Sequence, residues 1–284
     1  MDDDAGPVRG SLPLGITPGM TSEAALEVLL RARVAEIDQH LAVFMDRDDE
    51  SGPHKSRVAL RRLTTVFDGF RPLFRRSVWH PLRAEAKLMF RELGRVRDAQ
   101  VLLADIEDAD RRAKHAAALV PLREKVRRHL RQRGSVAFGA QLLRRLGEGD
   151  LLRAKAKGQS LRRRSVEELA AAAMDDLHRA CRALGRDLSA LSVSDLHEFR
   201  KRMKSLRYMA EFFAPLWHHA DWPNLRQDLQ ALQDALGALN DQANARRRGV
   251  AVPEAKAARA MKEAQRLWAR LADAPAWWRN GPLS

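Results

Sequence analysis

Two stretches of the sequence carry the same pattern of histidine and basic residues, one that suits the binding of phosphate groups. The pattern is His-x-x-Arg-x-x-x-(Arg/Lys), with His54, Arg57 and Arg61 in the first stretch and His197, Arg200 and Lys204 in the second. Arginine presents a fork of donors to two phosphate oxygens, lysine adds a compact charge, and an imidazole N–H can donate to another oxygen. Such a surface fits a chain of phosphates better than a single carboxylate.

The two stretches align without gaps at a fixed offset. His54 and His197 are 143 positions apart (197 − 54), and the same offset carries Phe70 onto Phe213. Self-similarity at a fixed period indicates a repeated structural unit. The sequence therefore predicts a duplicated helical module whose two halves are related by a pseudo-two-fold axis.

Each stretch separates a packed face from a basic face when it is placed on a helix at about 100° per residue. Arg57 and Arg61 fall within about 60° of His54. Apolar residues cluster on the opposite side: Leu60, Leu63, Phe67 and Phe70 in the first stretch, and Phe199, Met203, Leu206, Ala210 and Phe213 in the second. The residues predicted to bind phosphate on these two helices are His54, Arg57, Arg61, Arg62, His197, Arg200, Lys201, Lys204, Arg207 and Tyr208.

At these residues the sequence resembles the CHAD domains, or conserved-histidine α-helical domains, whose two halves each open their second helix with this pattern. Two later motifs support the resemblance, Leu-Gly-x-x-Arg-Asp from Leu93 to Asp98 and Leu-Gly-x-Leu-Asn-Asp from Leu236 to Asp241. The resemblance extends from about Thr21 to Ala274. It implies an all-helical arrangement of two halves with a positively charged channel where they meet.

A basic ribbon follows the first motif. Residues 54–97 contain twelve Lys and Arg against three acids, and cations recur at i+4 within them. The predicted phosphate ligands of this ribbon are Arg83, Lys87, Arg91, Arg95 and Arg97. In the second half only Arg226 keeps its equivalent place, so the site is expected to be lopsided. The alternative is a solvated basic face balanced by acids elsewhere.

The composition favours an anionic partner. The 284 residues include 51 Lys and Arg against 37 Asp and Glu, for a net charge of +14 and a pI near 10.8. The acidic start does not resemble a secretory signal, and no apolar run is long enough for a membrane span. We expect a soluble cytoplasmic protein. The one cysteine, Cys181, has apolar neighbours at helical spacing and is expected to be buried.

The periodicity predicts an all-α fold of two roughly four-helix bundles. Residues 1–20 are expected to be disordered, residues 21–147 to form the first half, residues 148–164 a basic linker, and residues 165–284 the second half. Helices are predicted at Pro53–Phe70, at about Pro81–Asp108 and at Arg111–Arg133. Trp277 and Trp278 are expected to dock as an apolar cap.

Together with the resemblance, these patterns predict a non-enzymatic binder of inorganic polyphosphate, associated with polyphosphate granules. The sequence has no phosphate-cradling P-loop, no carboxylate cluster for Mg²⁺ and no zinc-ligand spacing, so no cofactor or metal is expected. His218 and His219 are expected on the surface, and Asp98 and Asp241 are expected to anchor an arginine or cap a turn.

The alternative to polyphosphate binding is non-specific DNA or RNA binding, which the charge favours. Against it, no aromatic residue is expected to interleave with the basic ribbon as a stacking platform. A scaffold that brings other proteins to polyphosphate granules remains compatible with the first reading.

Overall fold

The chain folds into helices throughout the residues that the computed structural model describes, which are 15–217, 222–247 and 253–279. Apart from one isolated β-bridge between Phe74 and Leu152, these residues contain no strand pairing. The predicted all-α class is confirmed. The chain divides into two units, a first unit of residues 21–164 and a second unit that combines residues 165–284 with residues 1–20.

The α-helices of the first unit are α1 Ser22–Asp46, α2 Ser51–Gly69, α3 Arg76–Ala104, α4 Ala109–Gln132, α5 Phe138–Gly147 and α6 Ala156–Arg163. Those of the second unit are α7 Val166–Leu184, α8 Val193–Phe213, α9 Trp222–Arg247 and α10 Glu254–Asp273. Four helices in the described part of the second unit match the expected bundle. The first unit has six, because its C-terminal segment is more structured than the sequence indicated.

Helix α2 packs between α1 and α3, and it does so with the face that the sequence predicted. Leu60, Leu63 and Phe67 are fully buried. A 3₁₀ turn at Arg71–Leu73 then reverses the chain, and α3 returns along α2. Helix α3 begins at Arg76, earlier than predicted, with Pro81 inside it. Proline at that position lacks only one backbone donor, and the helix continues past it to pack on α2 and α4.

The segment predicted as a basic linker, residues 148–164, is instead part of the first unit. Leu151 and Leu152 are buried, and the Arg75 N–H donates to the Leu151 carbonyl at 2.9 Å. Helix α6 packs on α1, where Arg162 donates to both carboxylate oxygens of Glu23 at 2.9 and 2.5 Å. Basic composition suggested a solvated tether, but two leucines and one ion pair fix the segment in place.

The last residues before α1 are packed, although the sequence predicted disorder up to residue 20. Residues 1–14 lie outside the described residues, but residues 15–20 pack on the second unit, with Ile16 buried. The Gly19 N–H donates to Glu167 at 2.6 Å, and the Met20 carbonyl accepts from the Val166 N–H at 2.9 Å. The prediction that residues 1–20 form one disordered segment is therefore wrong for its last six residues.

The second unit closes around aromatic side chains. Trp268 lies against Phe199 and donates to the Gly185 carbonyl at 2.7 Å. Trp278 donates to Asp175 at 2.7 Å, and Trp277 stands edge-on to Trp217, so the predicted apolar cap is confirmed. Cys181 is fully buried, and burial raises the pKa of its thiol to about 12. No helix among the described residues has the length and apolar character needed to cross a bilayer.

Candidate phosphate-binding helix pairs

The first helix pair, α2 with α3, brings the first motif against the basic ribbon. The Arg57 guanidinium lies 4.5 Å from the centre of the Phe90 ring, and its Nη1 is 3.4 Å from Oδ1 of Asp98. The Arg61 guanidinium lies 5.0 Å from the centre of the same ring. These contacts fix an antiparallel register in which the middle of α2 faces the middle of α3.

The second helix pair, α8 with α9, has the same register. A methyl group added at Gly94 would meet Nη1 of Arg57 at 2.8 Å, and one added at Gly237 would lie 3.9 Å from Nη2 of Arg200. The offset of 143 positions relates both the arginines and the glycines (200 − 57 and 237 − 94). His197 Nδ1 lies 3.3 Å from Oδ1 of Asn240, which occupies the place equivalent to Arg97. This shared register is what a duplicated module predicts.

Four further cations of α3 lie on the same side of the helix as these contacts. One of them, Arg83, is seven residues before Phe90 and donates to both carboxylate oxygens of Asp68. The other three are Lys87, Arg91 and Arg97. Each lies seven residues, or about two turns, from a residue of α3 that lies against the Arg57 guanidinium: Lys87 from Gly94, Arg91 from Asp98, and Arg97 from Phe90. We call the set His54, Arg57, Arg61, Lys87, Arg91 and Arg97 the basic face of the first helix pair.

The basic face carries few balancing acids. Lys87 and Arg91 are exposed and have no acidic partner among the described residues. Arg97 is half-buried, and its Nε has no acceptor within the described part of the chain. The Asp98 carboxylate that faces Arg57 is 80% exposed, so solvent screens the pair. A surface with this charge excess attracts anions.

Three predicted ligands of the first unit pair with acids of the fold. Arg62 is 9% exposed, and its Nη1 lies 3.9 Å from Glu36, a carboxylate that also pairs with buried Arg33 at 2.9 Å. Burial raises the pKa of Glu36, and the two arginines oppose that rise. Arg83 donates to both oxygens of Asp68 at 2.9 and 2.8 Å. Arg95 pairs with Glu92 at 3.0 Å. The structure thus leaves Arg62, Arg83 and Arg95 outside the basic face.

The cations of α8 are less accessible than the sequence suggested. Arg200, Lys204 and Arg207 are each 7% exposed, and Tyr208 is buried. Arg207 donates to Gln230 at 2.6 Å and its guanidinium lies 4.9 Å from the centre of the Tyr208 ring. Helix α8 is buried around most of its circumference. Its basic residues are therefore buried along with the apolar residues of its packed face.

Two motif residues of α8 remain accessible. His197 is exposed near the start of the helix, and Lys201 is exposed but pairs with Glu198 at 2.5 Å. The two helix pairs therefore share their register but differ in accessibility. The expected lopsidedness appears here as a partly exposed basic face on the first pair and a set of buried cations on the second.

Phe90 is the functional candidate that the sequence analysis missed. It lies inside the basic ribbon, between Lys87 and Arg91, where the sequence predicted no aromatic residue that could serve as a stacking platform. Its ring lies beneath two guanidiniums. Its spacing from the Leu-Gly motif could have identified it, because Phe90 lies one helical turn before Gly94 and therefore on the same side of α3.

The described residues contain no group of three or more His, Cys, Asp or Glu side chains placed to hold a metal ion. Asp98 contacts Arg57, in agreement with the expectation that it anchors an arginine. His54 is half-buried in the first turn of α2. His218 and His219 lie outside the described residues.

Comparison with known proteins agrees with the motif geometry. The family model described as the CHAD domain matches residues 28–249. This chain belongs to the CHAD family. Among solved structures, the CHAD domain from the plant Ricinus communis is similar, with a TM-score of 0.69 and 21% sequence identity, over 94% of this chain and 92% of that chain. At that identity the likeness establishes the fold of this CHAD domain. No curated protein matches the chain.

Proposed function

We propose that this CHAD domain binds inorganic polyphosphate, with the basic face of the first helix pair as its main site. The observation that carries the proposal is the convergence of four arginines and one lysine from two packed helices on one side, where few acids balance them. Polyphosphate carries charge on every phosphate, and arginine forks bind phosphate oxygens bidentately. The buried cations of α8 add positive potential within the second unit.

Non-specific nucleic-acid binding is the competing function, because a net charge of +14 attracts any polyanion. Proteins that hold single strands combine basic grooves with aromatic rings on which bases stack. On the first helix pair the ring that lies between Lys87 and Arg91, that of Phe90, is covered by the guanidiniums of Arg57 and Arg61. The Trp79 ring, nearer the start of α3, lies with its centre 5.7 Å from the Arg83 guanidinium. The geometry therefore supports recognition of phosphate rather than of bases.

A competition between polyanions tests the proposed function. Long-chain polyphosphate, duplex DNA and transfer RNA are compared at equal phosphate concentration and physiological salt. We expect polyphosphate to bind at least about tenfold more tightly than either nucleic acid, a difference of about 1.4 kcal/mol. Equal affinities would identify the protein as a general polyanion binder and overturn the proposal.

Catalysis is not part of the proposed function. The basic face presents cations and a histidine, and the carboxylate that contacts Arg57, that of Asp98, lies 3.4 Å from its Nη1. Phosphoryl transfer that uses Mg²⁺ needs carboxylates to hold the ion beside the substrate. Incubation with polyphosphate and Mg²⁺ or Mn²⁺ is therefore expected to release no more phosphate than a protein-free control. Release that follows the purified protein through chromatography would contradict this prediction.

In the cell, binding of this kind would place the protein at polyphosphate granules. A fluorescently tagged chain is expected to coincide with stained granules, and a chain with a neutralised basic face is expected to spread away from them. If both chains associate with granules equally, the basic face does not determine where the protein is located.

A further inference from the structure

We propose that Phe90 and Gly94 of α3 are positioning residues that hold the Arg57 and Arg61 guanidiniums in a fixed arrangement for phosphate. This inference rests on the proposed function and adds to it a division of labour between the helix pairs. The first pair is a preorganised, phosphate-specific site in which two arginines share one ring, whereas the second pair supplies charge from cations that are largely buried.

The contacts around Arg57 show how its position is fixed. Its guanidinium lies over Phe90, at 4.5 Å, and against Gly94, where the missing side chain leaves the space that Nη1 occupies. Arg61 lies one turn further along α2 and over the same ring. A free arginine loses side-chain freedom when it binds, so two arginines already held on a ring bind phosphate at a lower entropic cost.

The internal repeat provides a natural comparison. The position of Phe90 is occupied by Gln233 in the second pair, and the position of Arg61 by Lys204 (233 − 90 and 204 − 61 both equal 143). Gln233 is buried and donates to the Met203 carbonyl at 3.3 Å. A planar guanidinium stacks on an aromatic face, whereas a lysine ammonium is a flexible point charge. The ring and the second arginine therefore occur together in one pair and are both absent from the other.

The same arrangement also determines what the site rejects. A nucleobase gains affinity by stacking on an exposed aromatic ring. Because Arg57 and Arg61 lie over Phe90, a base that stacked there would have to displace them. A bare phosphate chain needs no such displacement and pairs with the guanidiniums where they lie. We infer that Phe90 favours polyphosphate over nucleic acid.

The two glycines allow a matched test in which no charge changes. Gly94→Ala places a methyl group 2.8 Å from Nη1 of Arg57, which must move, whereas Gly237→Ala places one 3.9 Å from Nη2 of Arg200, an ordinary contact. Both glycines lie inside helices, where alanine is the better helix former. We expect Gly94→Ala to lower polyphosphate affinity about tenfold without lowering the melting temperature. Gly237→Ala is expected to bind like the unchanged protein.

Phe90 is tested by a second set of substitutions. Phe90→Leu keeps an apolar side chain and removes the ring, so we expect about a tenfold loss of affinity for polyphosphate. Its preference for polyphosphate over transfer RNA should fall, since the arginines are no longer held. Phe90→Tyr keeps the ring and is expected to restore both properties. A side chain that served packing alone would not give this rescue together with a changed preference.

The outcomes separate the inference from the function on which it rests. If the unchanged protein binds polyphosphate no better than nucleic acid, the proposed function fails. Suppose that the unchanged protein prefers polyphosphate, and that Gly94→Ala and Phe90→Leu are folded by circular dichroism. If both variants then bind and discriminate as well as the unchanged protein, the positioning roles are wrong. An equal loss in Gly94→Ala and Gly237→Ala would likewise overturn the division between the helix pairs.

Discussion

Replacement of Arg57, Arg61, Lys87 and Arg91 by glutamine is expected to lower polyphosphate affinity by at least about 100-fold. Charge-assisted hydrogen bonds are worth about 1.5–3 kcal/mol each, so the loss of two of them already produces this effect. The fold should persist, because Leu60, Leu63 and Phe67 pack on the opposite side of α2. Isothermal titration calorimetry and a thermal melt measure the two quantities.

The control variant removes the same number of charges elsewhere. Four exposed helical cations that lack an ion pair within the described residues serve this purpose: Lys114 and Arg128 of α4, and Arg259 and Lys262 of α10. We expect their replacement by glutamine to cost less than about tenfold, since isolated surface charges contribute little. The basic run at residues 162–164 is unsuitable because Arg162 pairs with Glu23. Equal losses in the two variants would leave only diffuse electrostatics.

The features that the sequence predicted correctly are those that depend on local pattern. Apolar spacing placed the packed faces of α2 and α8, since a helix of 3.6 residues per turn gathers such residues on one side whatever its neighbours are. The offset of 143 positions relates Arg57 to Arg200 and Gly94 to Gly237, and each arginine lies beside the glycine of its own helix pair.

The features that were missed depend on neighbours distant in sequence. Arg62 is buried because Glu36 and Arg33 of α1 lie against it, and nothing within the motif encodes that helix. Phe90 was overlooked because its role depends on two arginines about thirty positions earlier. The burial of Arg200 and Lys204 also follows from packing on α8. Periodicity therefore predicts which side a residue takes, and tertiary contacts determine whether solvent or a ligand reaches it.

The strength of binding is expected to depend steeply on salt, and this dependence reports how many phosphates the protein neutralises. For a flexible single-stranded polyanion, log K falls with log salt at about −0.7 per phosphate contact. If about six to ten phosphates are neutralised, affinity should fall roughly 10²- to 10⁴-fold between about 50 and 200 mM salt. A nearly flat dependence would exclude the basic face as the site.

The slope also distinguishes the roles of individual residues. Loss of the four cations Arg57, Arg61, Lys87 and Arg91 should reduce it by about 3, whereas the control variant should change it much less. Gly94→Ala and Phe90→Leu remove no charge, so they should weaken binding while keeping the slope close to that of the unchanged protein. If either of them flattened the slope as much as the four-cation variant, then the guanidiniums would have left the ligand altogether. In that case Phe90 and Gly94 would be required for the contact itself rather than for its position.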